Sequence, residues 1–424
     1  MRPNLKELIL PIKETLNKNT IGGGIGTLLE WLEFSLYGYF AYTISHLFFP
    51  KFNQATALLA TFGIFAISYL ARPVGAILFG HIGDCYGRKN ALISSIILMC
   101  IATFFIGVIP TYDTWGVFSP LLLMLFRFVQ GIAVSGEFIG AAIFTFEHAE
   151  KKYAYVASSW TSTFSAIGML LAAFFALLAS ASFVPSWGWR VPFIFSALAC
   201  LYGFFLRKNL TETPVFDSMK RSNQIAKAPI IEAIKYNSLS IIKTMAIGSF
   251  VGVYVYICNI WLCTFLVEKE YFDSYHARLL VLIGQFCVVF LTPIIALCAD
   301  KFGGKFFRGA GLLGSIIASN LLFSSFVNSS FLFASIAQIL YAVINSFVTA
   351  TMFKYLSTLF LPNTRYSGQS FGWALAVAFV GGTAPLVAQF LVQWSNQWPA
   401  IYVSFIGFVV FLVTCLNRCV SELD

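Results

Sequence analysis

The sequence predicts an all-helical protein that crosses a membrane many times. Of its 424 residues, 58% are hydrophobic and only 11% are charged, and the mean hydropathy is +0.80. So little charge cannot cover the surface of a soluble protein of this size. The apolar residues also fall into twelve stretches of about 20 residues, which is the length that an α-helix needs to cross a bilayer.

The twelve stretches form two sets of six, and the longest polar stretch of the chain separates the sets. Predicted helices 1 to 6 span residues 20–46, 56–83, 90–110, 117–147, 154–183 and 189–207, and predicted helices 7 to 12 span 241–267, 277–299, 307–327, 331–360, 366–394 and 399–417. The predicted organisation is a tail over 1–19, a six-helix bundle over 20–207, a central loop over 208–240, a second six-helix bundle over 241–417 and a tail over 418–424.

The lysines and arginines predict which side of the membrane each loop faces. With the N-terminus inside, the inner segments hold 21 of them and the outer segments hold 4. Because cytoplasmic loops carry an excess of Lys and Arg, both termini are predicted to be cytoplasmic. The same distribution accounts for the net charge of +9, so we expect lipid and no nucleic acid as a partner.

A short internal repeat relates the two predicted halves. The sequence GHIGDCYGRK (80–89) follows predicted helix 2, and ALCADKFGGK (296–305) follows predicted helix 8. The copies align, at an offset of 216, Asp84 with Asp300, Gly87 with Gly303 and Lys89 with Lys305. Similar halves are typical of transporters that are built from repeats.

Charged side chains inside the predicted membrane segments mark a candidate site. Five of them lie in predicted helices 1, 2 and 4: Glu30, Glu33, Arg72, Arg127 and Glu137. Each charge at the bilayer centre costs roughly 2.5–3.5 kcal/mol, so these side chains should face one another or a wet cavity. They are expected to form one paired network, and the C-terminal half is expected to hold almost no buried charge. The alternative is a set of ion pairs that only orient helices.

Helical spacing places several of these residues on shared faces. Glu30, Glu33 and Tyr37 stand at i, i+3 and i+7, which is one face of a helix. Predicted helix 4 carries a second polar stripe made of Arg127, Gln130 and Glu137. Because a buried carboxylate binds a proton more readily than an exposed one, we assign proton coupling to Glu30, Glu33 and Glu137. The predicted substrate-binding residues are Tyr37, Arg72, Arg127, Gln130, Asn259, Trp261 and Trp373.

The loop after predicted helix 2 predicts a gate. Its glycines allow helices to approach closely, and its Asp and Arg can make charge contacts that break and form again. The alternative is a plain solvated loop, against which the repeated copy argues. The predicted gating residues are Gly80, Asp84, Gly87, Arg88, Lys89, Glu147, Asp300 and Lys301.

At this point the sequence resembles a known superfamily. GHIGDCYGRK is similar to the signature loop between helices 2 and 3 of the major facilitator superfamily. Further stretches resemble its metabolite:proton symporter family: EWLEFSLYGYFA, LARPVGAILFGHIGD, RFVQGIAVSGEFIGAA, GWRVPF, ETPVF and LFLPNTRYSGQSFGWALAVAFVGGTAPLVA. The sequence departs from the family pattern at Cys85, where a basic residue is common, at Glu33, where Asp is usual, and at Ser135, where Gly is usual.

The resemblance implies the major facilitator fold and uptake of small organic solutes with protons. Family substrates are proline and betaine-type osmolytes, or carboxylates such as oxoglutarate, citrate and shikimate. The five buried charges sum to −1, or to +1 if both helix 1 carboxylates are protonated, which favours a zwitterion. We expect a monomeric symporter, driven by the proton gradient and working by alternating access. No cofactor, metal or enzymatic activity is expected. A carboxylate symporter, an exporter or uniporter, and a non-transporting receptor stay open.

Overall fold

The computed structural model describes residues 11–179, 184–185, 187–326 and 330–416. Its long helices follow the predicted ones and are numbered in the same order. The first half contains α1 (Lys18–Tyr39, continued by Ala41–Phe48), α2 (Thr56–Cys85), α3 (Arg88–Val108), α4 (Phe118–His148), α5 (Lys151–Leu178) and α6 (Arg190–Lys208). The second half contains α7 (Ser238–Glu268), α8 (Ser274–Phe302), α9 (Gly304–Ser325), α10 (Phe331–Thr358), α11 (Arg365–Leu391) and α12 (Trp398–Thr414).

Ten of these helices, α2 to α11, are long and apolar enough to cross a membrane, as judged over the described ranges. α12 is apolar but shorter, and α1 is interrupted at Phe40. Between α6 and α7 the chain forms two short helices, Pro214–Arg221 and Pro229–Tyr236. The predicted tails at 1–10 and 418–424 and the predicted end of helix 5 at 180–183 lie outside the described residues. The domain boundaries stay predictions.

The two copies of the internal repeat share an unusual backbone conformation at their aligned glycines. Gly87, between α2 and α3, has φ of +110°, and Gly303, between α8 and α9, has φ of +86°. Residues with a side chain rarely adopt such angles, so glycine is required for the tight turn at both positions. We call the end of the bundle that carries these two turns the basic end, and the opposite end the far end. The segment between α6 and α7 lies at the basic end, because the Cys85 thiol donates to the Ala226 carbonyl at 3.4 Å.

The two halves meet through equivalent pairs of helices. α2 of the first half packs against α11 of the second, and α5 of the first packs against α8 of the second. At the α2–α11 contact, a Cβ on Gly80 would lie 2.8 Å from the Ser367 Cα, so glycine permits the close approach. Exchanging the halves converts one pair into the other, and the interface is therefore pseudo-symmetric.

Two helices of the first half are broken near the middle of the bundle. α2 is interrupted at Ala71, two residues before Pro73. Proline has no backbone N–H and therefore cannot donate a helical hydrogen bond. α4 is interrupted at 135–137. The Ser135 hydroxyl donates to the Arg72 carbonyl at 2.7 Å, which ties the two breaks together. Both breaks lie beside residues that the sequence marks as candidates for the site.

Candidate functional site

Glu33 is completely buried in the interior of the first half. Its carboxylate accepts hydrogen bonds from the Gln130 amide at 2.5 Å, from the Ser196 hydroxyl at 2.8 Å, from the Cys200 thiol at 3.5 Å and from the Thr103 hydroxyl. These donors belong to α3, α4 and α6. Among the described residues no ion pair joins Glu33 to a cation. A carboxylate held by neutral donors can change its protonation state without leaving a partner charge unpaired.

Arg127 reaches Glu33 only through Gln130. The Arg127 guanidinium donates to the Gln130 side-chain oxygen at 2.6 Å, and Gln130 in turn donates to Glu33. The guanidinium also lies over the rings of Phe34 and Tyr37, 4.5 and 4.3 Å from their centroids. Such cation–π contacts stabilise a buried cation. The sequence-predicted stripe of Arg127 and Gln130 is therefore a chain of contacts inside the first half.

Glu30 and Arg72 form a loose ion pair near the boundary between the halves. The Arg72 Nη2 atom lies 3.8 Å from Glu30 Oε1. Within the described structure, both Glu30 oxygens and the Arg72 Nε are buried without a hydrogen-bond partner. Burying charged groups without partners is costly. The pair therefore keeps donors and acceptors that a bound solute can satisfy.

Aromatic rings of the first half link this pair to Tyr256 of the second half. The Tyr69 hydroxyl donates to the Tyr256 hydroxyl at 2.9 Å, and the Tyr69 ring lies 4.5 Å from the Arg72 guanidinium. The Trp31 ring lies 6.2 Å from that of Tyr256. Tyr256 opens a π-helical segment of α7, Tyr256–Trp261. Arg72 is thus within reach of both halves.

A small cavity lies between the halves next to Trp31. Its volume is about 30 Å³, which is room for about one water molecule. Its polar lining comes mainly from α5, α8 and α10, and its apolar lining includes Trp31 and Phe138. Trp373 packs beside it, with its ring 5.4 Å from that of Phe138. This cavity is therefore too small for an organic solute.

Glu137 does not join the other charges. It forms a bidentate ion pair with Arg207 of α6, in which Nη1 donates at 2.7 Å and Nη2 donates to the other carboxylate oxygen. The Ser95 hydroxyl donates to Glu137 at 2.9 Å. Arg207 also donates to the carbonyls of Gly22, Gly23 and Leu92. The expectation of one network on helices 1, 2 and 4 is wrong for Glu137.

A second buried charge cluster lies at the basic end. Arg88 lies 3.3 Å from Asp84 and 3.2 Å from Glu147. Arg365, from the second half, donates to Glu147 at 2.8 Å. Glu212 binds the backbone N–H of Arg88 at 3.2 Å, and burial raises the pKa of Glu212 above its usual value. The cluster is buried, so the alternative of a plain solvated loop is wrong for these residues.

The two repeated aspartates make equivalent contacts, each with the start of a helix in the opposite half. Asp84 accepts the backbone N–H groups of Tyr366 at 3.2 Å and Ser367 at 2.8 Å, at the start of α11. Asp300 accepts those of Tyr155 at 2.9 Å and Val156 at 3.0 Å, near the start of α5. A carboxylate is stabilised at a helix N-terminus, where backbone N–H groups lack helical partners. Each half therefore holds the first turn of a helix in the other half.

Comparisons with known proteins agree with this architecture. The model of the sugar (and other) transporter family matches residues 21–244. The proline/betaine transporter of Escherichia coli K12 is 31% identical over 421 residues, which cover 94% of this chain and 82% of the relative. The putative proline/betaine transporter of Staphylococcus aureus MSSA476 is 33% identical over 415 residues, which cover 93% of this chain and 87% of the relative.

A solved structure shows the same fold. The proton:xylose symporter XylE, of the major facilitator superfamily, superposes with a TM-score of 0.76 over 93% of this chain and 94% of that one, at 17% identity. The chain belongs to the major facilitator superfamily. The predictions of a twelve-helix major facilitator fold, of a transporter and of a protein that is not an enzyme are confirmed. The prediction of a multi-pass membrane protein is confirmed as well, whereas the orientation of the termini stays a prediction.

Within the transporter, the two predicted gating lysines differ: Lys89 bonds to another helix, and Lys301 does not join the Asp300 contact. The Lys89 ammonium donates to the Lys208 carbonyl at 2.9 Å, so it fastens α3 to the end of α6. Lys301 is exposed, and its ammonium lies 5.5 Å from the ring of its neighbour Phe302. The structure does not bring Lys301 to the contact that Asp300 makes.

The predicted substrate residues of the second half are also separated in the transporter. Asn259 accepts from the Tyr39 hydroxyl at 3.4 Å, across the two halves. Trp261 donates its indole N–H to Gln389 at 2.8 Å, within the second half. Trp373 lies beside the central cavity, and its indole N–H is buried without a partner among the described residues. Of these three, Trp373 is the one that packs against a residue lining the central cavity, namely Phe138.

Two buried arginines of the transporter, Arg207 and Arg365, are absent from the predicted site residues. Arg207 is the last residue of predicted helix 6, and Arg365 directly precedes predicted helix 11. Lys243 and Arg308 are buried as well, so the expectation of almost no buried charge in the second half is wrong at its basic end. The sequence signal for Arg207 is weak, since it continues the apolar run of α6 at the point where a polar stretch begins.

Proposed function

We propose that this transporter is a proton-coupled symporter that imports a small zwitterion such as proline or a betaine by alternating access. It would lie in a bacterial cytoplasmic membrane with the basic end facing the cytoplasm. The observation that carries the proposal is the loose pair of Glu30 and Arg72, which keeps unsatisfied hydrogen-bonding atoms at the boundary between the halves. Its two signs match the two ends of a zwitterion.

In this proposal the solute bridges Glu30 and Arg72. Its carboxylate would bind the Arg72 guanidinium, since arginine suits carboxylates. Its ammonium group would lie near Glu30 and the faces of Trp31 and Tyr256, because aromatic faces attract cations. The names of the relatives support this choice, since they include a glycine betaine/proline/ectoine/pipecolic acid transporter of Dickeya dadantii, which is 30% identical.

Glu33 is the proposed proton carrier. It is buried, and its partners are neutral, so protonation leaves no cation unpaired. One charge that crosses 100 mV supplies about 2.3 kcal/mol, and at about 1.4 kcal/mol per tenfold one proton could concentrate a neutral solute roughly 50-fold. A buried site for one proton is therefore sufficient to drive accumulation.

Gln130 is the proposed link between the proton and the solute. When Glu33 is ionised, it accepts from the Gln130 amide, whose oxygen accepts from Arg127. A protonated Glu33 has an O–H donor in place of one acceptor. The partner that faces this proton must either accept it, as the Thr103 and Ser196 hydroxyls can, or turn away, as the Gln130 amide would. If the Gln130 amide turns, Arg127 loses its partner and the electrostatic environment of helices α1 and α2 changes.

The experiment reconstitutes purified protein in liposomes that contain a pH-sensitive dye. Proline, glycine betaine, oxoglutarate, citrate and shikimate are added from outside one at a time. We expect internal acidification with proline or betaine and its loss in Glu33→Gln. The control is Glu150→Gln, which changes an exposed carboxylate outside the site.

Other results of this experiment would favour a different solute or a different transport mechanism. Acidification with a carboxylate only would replace the zwitterion by an anionic solute. Uptake of radiolabelled solute without proton movement, unchanged in Glu33→Gln, would mean a uniporter and would overturn the proposed coupling. No uptake of any of the five solutes, with protein that binds none of them, would overturn the proposed solute class.

A further inference from the structure

Tyr366 of α11 fills a slot in the opposite half of the molecule. Its side chain is completely buried. The slot is formed by Gly83 of α2 and Gly140 of α4. A Cβ on Gly83 would collide with the Tyr366 ring, and a Cβ on Gly140 would collide with its hydroxyl. Van der Waals repulsion forbids such short distances, and a densely packed core leaves little room for the ring to shift, so the phenol fits only because both positions are glycine.

The phenol hydroxyl bonds to the break in α4. It donates to the carbonyl of Gly136, which lies inside the interruption at 135–137. The helical ladder resumes with the Ala141 N–H bonding to the Glu137 carbonyl at 2.8 Å, so the Gly136 carbonyl lies just outside it. A buried carbonyl outside a helix needs another donor, and here the second half of the molecule supplies it.

The same residue is tied to both buried charge clusters of the first half. The Tyr366 backbone N–H donates to Asp84, which pairs with Arg88 in the basic-end cluster. The Tyr366 hydroxyl binds Gly136, whose next neighbour Glu137 is held by Arg207. One residue of the second half therefore hydrogen-bonds to α2 through its backbone and to α4 through its side chain.

We propose that Tyr366 is a positioning residue that couples closure of the basic end to the shape of α4. When α11 lies against α2, the phenol enters the glycine slot and fixes the break in α4. When the basic end opens, α11 moves away, the phenol leaves, and the Gly136 carbonyl loses its donor. The part of α4 from Phe138 to His148 is then free to change its angle at the break.

This proposal rests on the alternating access proposed above, but on neither the solute nor the driving ion. The alternative hypothesis is that the phenol only fills space in the core. Tyr366→Phe separates the two, because it removes the hydroxyl and keeps the ring in its slot. The matched control is Tyr202→Phe on α6, where the tyrosine is 63% exposed.

The test is hydrogen–deuterium exchange of the full chain in lipid nanodiscs, read by mass spectrometry. Peptides covering 365–372 report on the start of α11, and peptides covering 138–148 report on α4 beyond its break. Because one hydrogen bond of ordinary strength is lost, we expect exchange to speed up about fivefold in both regions of Tyr366→Phe. Tyr202→Phe should match the wild type in both.

A second variant approaches the same contact from the other side. Gly140→Ala places a methyl group where the phenol oxygen lies, so it should expel the phenol and speed exchange in the same two regions. The double variant Gly140→Ala/Tyr366→Phe should be no faster than the faster single variant, because both changes break one contact.

Two results would overturn the proposal. Faster exchange at 365–372 with unchanged exchange at 138–148 would mean that Tyr366 holds only the gate. Unchanged exchange in both regions would mean that the hydroxyl has no role in closure. Since exchange is measured without solute or a pH gradient, a failed uptake experiment with an intact exchange result would reject the proposed transport activity and leave the role of Tyr366 standing.

Discussion

Glu33 and Glu137 are equally buried carboxylates of the first half, yet their partners differ in kind. Glu33 has neutral donors only among the residues described, whereas Glu137 is held by both terminal nitrogens of Arg207. Both were predicted to carry protons. A carboxylate that is paired with a guanidinium loses a strong interaction when it is protonated, and one with neutral donors does not. Burial alone therefore does not identify a proton carrier, and the partner decides.

The largest effect is expected when the Glu137 pair is broken. Arg207→Met leaves a buried carboxylate unpaired, which should lower the free energy of unfolding by about 3–5 kcal/mol. The measurement is thermal unfolding in detergent with Lys208→Met as control, since Lys208 is the exposed neighbour on α6. Equal unfolding midpoints for the two variants would contradict the structural role given to the Glu137 pair.

The next effect separates stability from transport at Glu33. Glu33→Gln keeps the volume and turns one acceptor into a donor, so the unfolding free energy should fall by about 1–3 kcal/mol at most. Accumulation of solute against its gradient should be lost, while exchange of labelled for unlabelled solute across the membrane continues. Uphill accumulation that survives in this variant would remove Glu33 from the proton path.

A smaller effect is expected at the link between Glu33 and Arg127. Gln130→Leu removes the amide that bonds to both residues, and we expect uptake to slow about tenfold, equivalent to about 1.4 kcal/mol. Uptake measured from pH 5 to pH 8 should also show a shifted pH dependence, which a change in packing alone would not produce. An unshifted pH profile would argue against Gln130 as the link.

The smallest effect is expected at the other contact of Arg127. The guanidinium lies 3.4 Å from the Ser68 hydroxyl, which is long for a hydrogen bond. Ser68→Ala should therefore change neither uptake nor the unfolding midpoint by more than about 0.5 kcal/mol. A loss as large as that of Gln130→Leu would show that Ser68, rather than Gln130, sets the position of Arg127.

The sequence predicted the helices and the charged residues better than it predicted their partners. Hydropathy determines which segments enter the membrane, and the charges of Glu30 and Arg72 stand out inside those segments. Arg207 does not stand out, because it ends an apolar run where a polar loop begins, and depth at such a border depends on how the helix packs. Its pairing with Glu137 is a tertiary contact between α4 and α6, which spacing within one helix cannot reveal.

The predicted gating residues at the basic end also had partners that the sequence did not reveal. The repeat aligned Asp84 with Asp300, and the structure shows that both bind helix starts in the opposite half. The partners are backbone N–H groups, which carry no signal in the sequence. Arg365 was also not predicted as a buried residue, since an arginine at the start of a helix is ordinarily assigned to the loop that precedes it.

Because the two aspartates bind backbone, the two sides of each contact differ in how they tolerate mutation. A single substitution of Asp84 or Asp300 removes the acceptor. On the donor side every amino acid except proline supplies the same N–H group, so residues 155, 156, 366 and 367 can vary in their side chains without loss of this bond. A proline at Ser367 or Val156 would remove one of the two N–H donors to its aspartate, whereas loss of the aspartate removes both bonds; other residues at these positions leave the contact intact.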